Sequence, residues 1–177
     1  MAASVRRNLR LALALILGAG LLVLLILPFS KKPLPPGVAA DRIVVEKQAH
    51  RLTLLAKGRP LKSYAVALGR AAGPKERQGD GRTPEGKYVI DGRNAGSRYY
   101  RSLHISYPNA VQRRQARKKG GSPGGDIMIH GLPPKWAWVG RWHSLLDWTQ
   151  GCIAVSNGEM DELWRAVPRR TPIEIKP

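Results

Sequence analysis

The chain reads as a mainly β domain with a few short helices, placed behind one N-terminal membrane-spanning helix. Three observations predict this. Short apolar runs rich in Val, Ile and Leu recur between Gly, Pro and charged turns. Helical periodicity is confined to two brief stretches, and no strand–helix alternation marks a parallel α/β sheet. The first thirty residues differ in kind from everything that follows. Arg6, Arg7 and Arg10 lead into an uncharged run from Leu11 to Ser30, closed by Lys31, and those 20 residues would cover the roughly 30 Å core of a bilayer as a helix.

A cleaved signal has a shorter apolar region, about 7–15 residues, and a small-residue cleavage site. Leu27-Pro28-Phe29-Ser30 offers no such site, so residues 11–30 are expected to stay as an anchor. Residues 1–10 would remain on the cytoplasmic side, sending the rest outward. Residues 31–40 form a Pro-rich, semi-rigid spacer, and residues 41–177 make the single domain. Ile43 to Val45 and Arg51 to Leu55 read as strands about a turn, followed by Leu61 to Leu68, ended by Gly69. Ala71 to Thr83 is a Gly-, Pro- and charge-rich loop. Gly86 to Ile90 and Leu103 to Tyr107 are further strands. Asn109 to Lys119 has the composition of a short basic helix ended by Gly120-Gly121. Asp126 to His130 is an apolar strand with a histidine at its end. Leu132 to Gln150 is Trp-rich and without a clear period. Cys152 to Val155 is a strand, Asn157 can cap a helix to about Val167, and Thr171 to Ile175 closes the domain.

Net charge is +18 overall; with three of the thirty Lys and Arg ahead of the span, +15 remains beyond it. A surface this basic favours polyanions. For an exported domain these are wall polymers and lipid headgroups, and no nucleic-acid partner is expected. The solitary cysteine, Cys152, cannot close an internal disulfide. In an oxidising space such a thiol is a core residue or a reactive group.

Thiolate chemistry needs a base, a group orienting that base, and donors for an oxyanion. Gly151 precedes Cys152 at the start of a strand, so the backbone can approach a substrate and its N–H groups can face a developing charge. Of four histidines, His130 is best placed as base, at a strand end beside Gly131. His50 lies in an expected turn. His104 lies within a strand and either fills the core or lines the cleft. His143, in the Trp-rich loop, is expected on a cleft wall or the surface. A zinc centre from His104, His130 and His143 lacks ligand spacing, so neither metal nor cofactor is expected. The tryptophans of the loop read as packing rather than as a substrate platform.

Asp126-Ile-Met-Ile-His130-Gly131 together with Trp148-Thr-Gln-Gly-Cys152-Ile-Ala-Val155 resembles the active-site motif of the L,D-transpeptidase catalytic domain, the YkuD type. Gly79-Asp-Gly-Arg-Thr-Pro-Glu-Gly-Lys-Tyr88 resembles that family's Thr-Pro-x-Gly segment. The resemblance spans roughly residues 41 to 177. It implies a mixed, sandwich-like β core and a thiolate attacking the carbonyl of the third stem-peptide residue. The acyl group then passes to an amine, or in a hydrolytic relative to water. By the same resemblance Cys152 is the nucleophile, His130 the base, Gly131 the carbonyl that orients the imidazole, and Gly151 the neighbour of the oxyanion hole. Thr149, Gln150, Trp148 and His104 would contact the substrate, peptidoglycan stem peptides being the partner. Gln150 stands where the family commonly has His and Ala154 where it commonly has Arg, and the separation of His130 from Cys152 is longer than usual. A non-catalytic wall-binding module remains the non-enzyme alternative; both residues it could dispense with, Cys152 and His130, are present.

Overall fold

The structure, a computed structural model, describes residues 32–177. The expected span over residues 11–30 lies outside the described residues, and among those described no helix is long and apolar enough to cross a membrane. The domain is built on β1 (Arg42–Glu46), β2 (Arg51–Ala56), β3 (Arg59–Ala65), β4 (Gly86–Ser97), β5 (Tyr100–Ile105), β6 (Met128–His130), β7 (Ile153–Ala154) and β8 (Pro172–Lys176). Among the described residues two α-helices accompany them, α1 (Ala110–Lys118) and α2 (Asn157–Ala166), with a 3-10 segment over Pro134–Leu145. The mainly β expectation therefore stands.

Period-2 alternation does the sorting. Ile43 and Val45 of β1, Leu52 and Leu54 of β2, and Ile173 and Ile175 of β8 point to one side and are buried, as the pleat requires. The strands form one mixed sheet in the order β3-β2-β1-β8-β4-β5-β6-β7. β4 serves two partners: Gly86 to Val89 pair with β8, and Ile90 to Ser97 pair with β5. The two ends of the order then meet. Past β3, Ala67 exchanges backbone hydrogen bonds with Ala154 at 3.1 and 2.8 Å, so the sandwich-like core takes the form of a sheet curled back on itself.

Several boundaries differ from the sequence reading. The third strand stops at Ala65 and continues only as single bridges at Ala67 and Gly69. β4 runs seven residues past Ile90, through Asp91-Gly-Arg-Asn-Ala-Gly-Ser97, because it forms a hairpin with β5 that projects from the core and needs no apolar alternation. The loop expected over residues 132–150 contains the 3-10 segment, kinked at Gly140 with φ 52°. The cap of α2 is Ser156, in a capping box with Glu159. Asn157 instead accepts the Leu132 N–H at 2.6 Å. The residue 31–40 spacer is tied down in part: Leu34 packs on the core and the Ala40 N–H donates to Ala166 at 2.7 Å.

Candidate active site

β6 and β7 are parallel neighbours, with Ile129 opposite Ile153 and His130 opposite Ala154. Extending that register by one residue sets Cys152 opposite Met128. Side chains alternate along each strand, so Ile129 and Ile153 enter the core, where both are fully buried. His130 and Cys152 then share the other face as diagonal neighbours. Both line one cleft of about 860 Å³. Its walls include Tyr99 and Arg98 from the β4–β5 hairpin, Lys75 from the Gly- and Pro-rich loop, and Trp148, Thr149 and Gln150 from the approach to the cysteine.

His130 is buried and its Nδ1 lies 2.7 Å from the Gly131 carbonyl oxygen. A carbonyl only accepts, so Nδ1 carries the hydrogen and Nε2 keeps its lone pair. Burial holds the imidazole below its ordinary pKa, and the Gly131 bond only partly opposes this, so the ring is neutral near pH 7. Aromatic rings wedge it in place: Tyr99 at 4.5 Å between centroids and Trp148 edge-on at 5.8 Å. Gly131 must be small, since a Cβ there would lie 2.6 Å from Asn157 Oδ1.

Cys152 is half-buried. Its thiol donates to the Asp126 carbonyl at 3.5 Å. Burial pushes the thiol pKa up; the Met128 N–H opposes this, the Asp126 carboxylate adds to it, and the Lys75 ammonium opposes it again. The resting pair is therefore thiol and neutral imidazole. Gly151 gives the turn before the cysteine its shape. Its φ of 126° is closed to most side chains, and a Cβ would meet the Arg82 carbonyl oxygen at 2.5 Å. The Thr-Pro-x-Gly segment thus packs directly beneath the cysteine turn. Thr149 closes that turn from within: its hydroxyl donates to the Cys152 carbonyl at 2.7 Å and accepts the Gly151 N–H at 3.1 Å. That hydroxyl is engaged within the loop, while Thr149 also lines the cleft. Gln150 is exposed at the cleft.

His104 is not among the cleft-lining residues. Its Nδ1 pairs with Asp91 at 2.5 Å, and its Nε2 is 4.0 Å from Asp126, so it stands behind the residue whose carbonyl receives the thiol. His50 pairs with Asp147 at 3.0 Å. His143, expected on a wall or surface, is buried. Neither ring nitrogen has a hydrogen-bond partner among the described residues. Burial first, and then the charge of His130, hold its pKa down to about 4. Among the described residues no cluster of His, Cys, Asp or Glu is arranged to hold a metal.

Sequence reasoning missed Tyr99 and Lys75. Tyr99 sits at the tip of a hairpin whose polar strand gave no periodic signal. Lys75 is a buried cation, held by Asp80 at 2.7 Å and the Arg77 carbonyl at 3.1 Å. Burial would raise the Asp80 pKa, but backbone N–H groups of Arg77, Glu76 and Arg82 together with Lys75 hold it well below the usual carboxylate range. A buried lysine inside a charge-rich loop was the one available clue, and it reads as solvated.

Comparison with known proteins gives a consistent picture. The family model of the L,D-transpeptidase catalytic domain, YkuD, matches residues 40–175. YafK of Escherichia coli K12, which carries an L,D-transpeptidase name, is 36% identical over 99 residues, covering 54% of this chain and 32% of YafK. The chain therefore spans about a third of that curated relative's length. Among solved structures, the helical cell shape determining protein Pgp2 of Campylobacter jejuni superposes with a TM-score of 0.58 at 21% identity, over 82% of this chain and 51% of Pgp2. An L,D-transpeptidase of Xylanimonas cellulosilytica gives 0.52 at 18%, over 81% of this chain and 64% of that one. At those identities the structural likeness speaks for the fold.

Proposed function

The chain belongs to the L,D-transpeptidase catalytic-domain family, and on that premise we propose that it is a cysteine acyl transferase acting on peptidoglycan stem peptides. The observation that carries this reading is the placement of His130 and Cys152 on one face of the β6–β7 pair, with Nδ1 of the imidazole committed to Gly131.

In this reading His130 Nε2 takes the thiol proton as Sγ attacks the carbonyl of the third stem residue. Because the resting groups are both neutral, deprotonation accompanies attack rather than preceding it. The tetrahedral oxyanion needs a donor; the Gly151 N–H is already bound to Thr149, and in this reading the Cys152 N–H takes that role. Collapse breaks the peptide bond, and the imidazolium returns its proton to the departing D-amino acid. An acceptor amine then attacks the thioester left on Cys152; His130 accepts that amine's proton and returns it to Sγ as the C–S bond breaks and the new amide forms. Water at the same position would give hydrolysis. Trp148 and Tyr99 would bracket the acyl chain while holding the base. The apolar run between Arg10 and Lys31 would keep the enzyme at the cytoplasmic membrane with this domain outside; N-terminal sequencing of the membrane fraction checks it, and a chain beginning near Lys31 would refute it.

The test is incubation of the protein with a defined tetrapeptide muropeptide, followed by mass spectrometry of protein and products. The expected result is an acyl adduct on Cys152 with release of the terminal residue, and cross-linked product when an acceptor amine is supplied. Turnover that persists in Cys152→Ala would overturn the proposal. Cleavage without cross-linking would assign the acceptor as water.

A further inference from the structure

The segment joining the two catalytic strands carries a surface that the acyl-transfer reading does not use. Trp136, Trp138 and Trp142 are 56%, 85% and 61% exposed, and Leu145 and Leu146 are 70% and 76% exposed. Five large apolar side chains within eleven residues are not scattered surface residues, and such patches mark interaction sites.

Nor is the segment frayed. At one end the Leu132 N–H is held by Asn157 at 2.6 Å and the Trp136 N–H by the Pro133 carbonyl at 2.8 Å. At the other, Asp147 accepts the Leu68 N–H at 2.7 Å and the Thr149 N–H donates to Leu68 at 3.1 Å. Between them His143 turns inward and is buried. Between these anchors the large exposed side chains are apolar apart from Lys135.

We propose that this face seats the domain on an anionic phospholipid surface. The choice of occupant follows from chemistry. Tryptophan, with a broad apolar ring and one N–H, is the side chain most at home at the headgroup level of a bilayer. Leu145 and Leu146 have no polar group and no flat face, so they suit acyl chains and not sugar rings. No Asp or Glu lies between Leu132 and Leu146, where Lys135 and Arg141 both occur. Lys135 is exposed, whereas Arg141 is engaged near Glu159 at 3.8 Å. The net charge of +15 beyond the apolar run draws the domain to a negative surface and opposes the approach of a second copy. Apolar insertion and electrostatic attraction then act together, as in interfacial segments.

The five tryptophans all lie between residues 136 and 164, so their fluorescence reports the domain and not the N-terminal run. Full-length protein is reconstituted in vesicles of phosphatidylglycerol and phosphatidylethanolamine whose acyl chains are brominated near the headgroup. Wild-type emission should fall by about half, as three interfacial tryptophans of five would be quenched. The fall should shrink several-fold in pure phosphatidylcholine. The triple change Trp136→Ser, Trp138→Ser, Trp142→Ser should abolish it, and the milder pair Leu145→Ser, Leu146→Ser should weaken it without touching a fluorophore. Unquenched wild-type emission would overturn the proposal, as would equal quenching in the triple variant. So would protection of the same tryptophans by soluble glycan strands with no effect of lipid.

Discussion

Glu162 and His130 are both charged-type side chains taken out of water, and their surroundings treat them in opposite ways. Glu162, on α2, receives the Lys62 ammonium at 2.7 and 2.9 Å and the Tyr64 hydroxyl at 2.9 Å. Lys62 also reaches the Lys32 carbonyl at 2.8 Å. Burial, reinforced by the carboxylate, pushes the Tyr64 phenol far above its ordinary range, so its proton stays in the network at any working pH. Every group there has a partner. At the cleft the reverse holds: His130 has one nitrogen bound and one open, and Cys152 donates a single weak bond. A buried polar group kept for architecture is saturated, because an unpaired one costs about 1–3 kcal/mol. One kept for chemistry must leave a valence open.

The comparison breaks first at His130. His130→Ala should lower the initial rate on a tetrapeptide donor by roughly 10²- to 10⁴-fold, the range of general-base assistance, with unchanged circular dichroism. In the wild type kcat/KM should hold through neutrality and fall only below the ordinary histidine range of about 6.5, because burial depresses this imidazole. A rate within a few-fold of wild type in His130→Ala would remove it from the mechanism.

That much of the site was legible because it is local in sequence. A histidine ending an apolar strand and a Gly-Cys pair opening another are readable from residue types, and alternation in β1, β2 and β8 revealed those strands directly. The polar tail of β4 was not legible, since a projecting hairpin carries no buried face. Tyr99 reaches His130 from that hairpin, 31 positions away in the chain, and Lys75 reaches the cleft from a loop that reads as solvated. The inward turn of His143 was hidden for another reason. In a 3-10 segment with no periodicity, nothing in the pattern says which side chain faces in.

A smaller effect, of a different kind, is expected at the saturated cluster. Glu162→Ala leaves Lys62 and Tyr64 buried without their acceptor and should cost about 3–5 kcal/mol of stability. Lys62→Met with Glu162→Leu, which removes both charges, should recover most of it. Urea unfolding of the three proteins measures this. Below the transition, kcat on the tetrapeptide should stay within about two-fold of wild type. A single change that destabilises by less than 1 kcal/mol would mean that water reaches this pair.

The smallest effect belongs to His143, and it separates an idle buried imidazole from a second base. His143 is held down to about 4, below the roughly 6.5 of an unfolded histidine. From pH 6.5 downward the unfolded chain therefore binds a proton that the folded chain refuses. Its contribution to stability is complete above 6.5 and is lost as pH falls toward 4, with the sign that linkage requires. His143→Leu removes two unpartnered nitrogens at similar volume. At pH 7 it should change stability by no more than about 1 kcal/mol, in the favourable direction. Its advantage over wild type should widen between pH 6.5 and 4.5, read as a shallower acid slope in thermal unfolding. The rate on a tetrapeptide should stay within a few-fold, because the base proposed for Cys152 is His130. An unchanged acid slope would show that His143 titrates normally and is not sealed in. A loss of rate matching His130→Ala would move the base to His143 and undo the division between a saturated cluster and an open one.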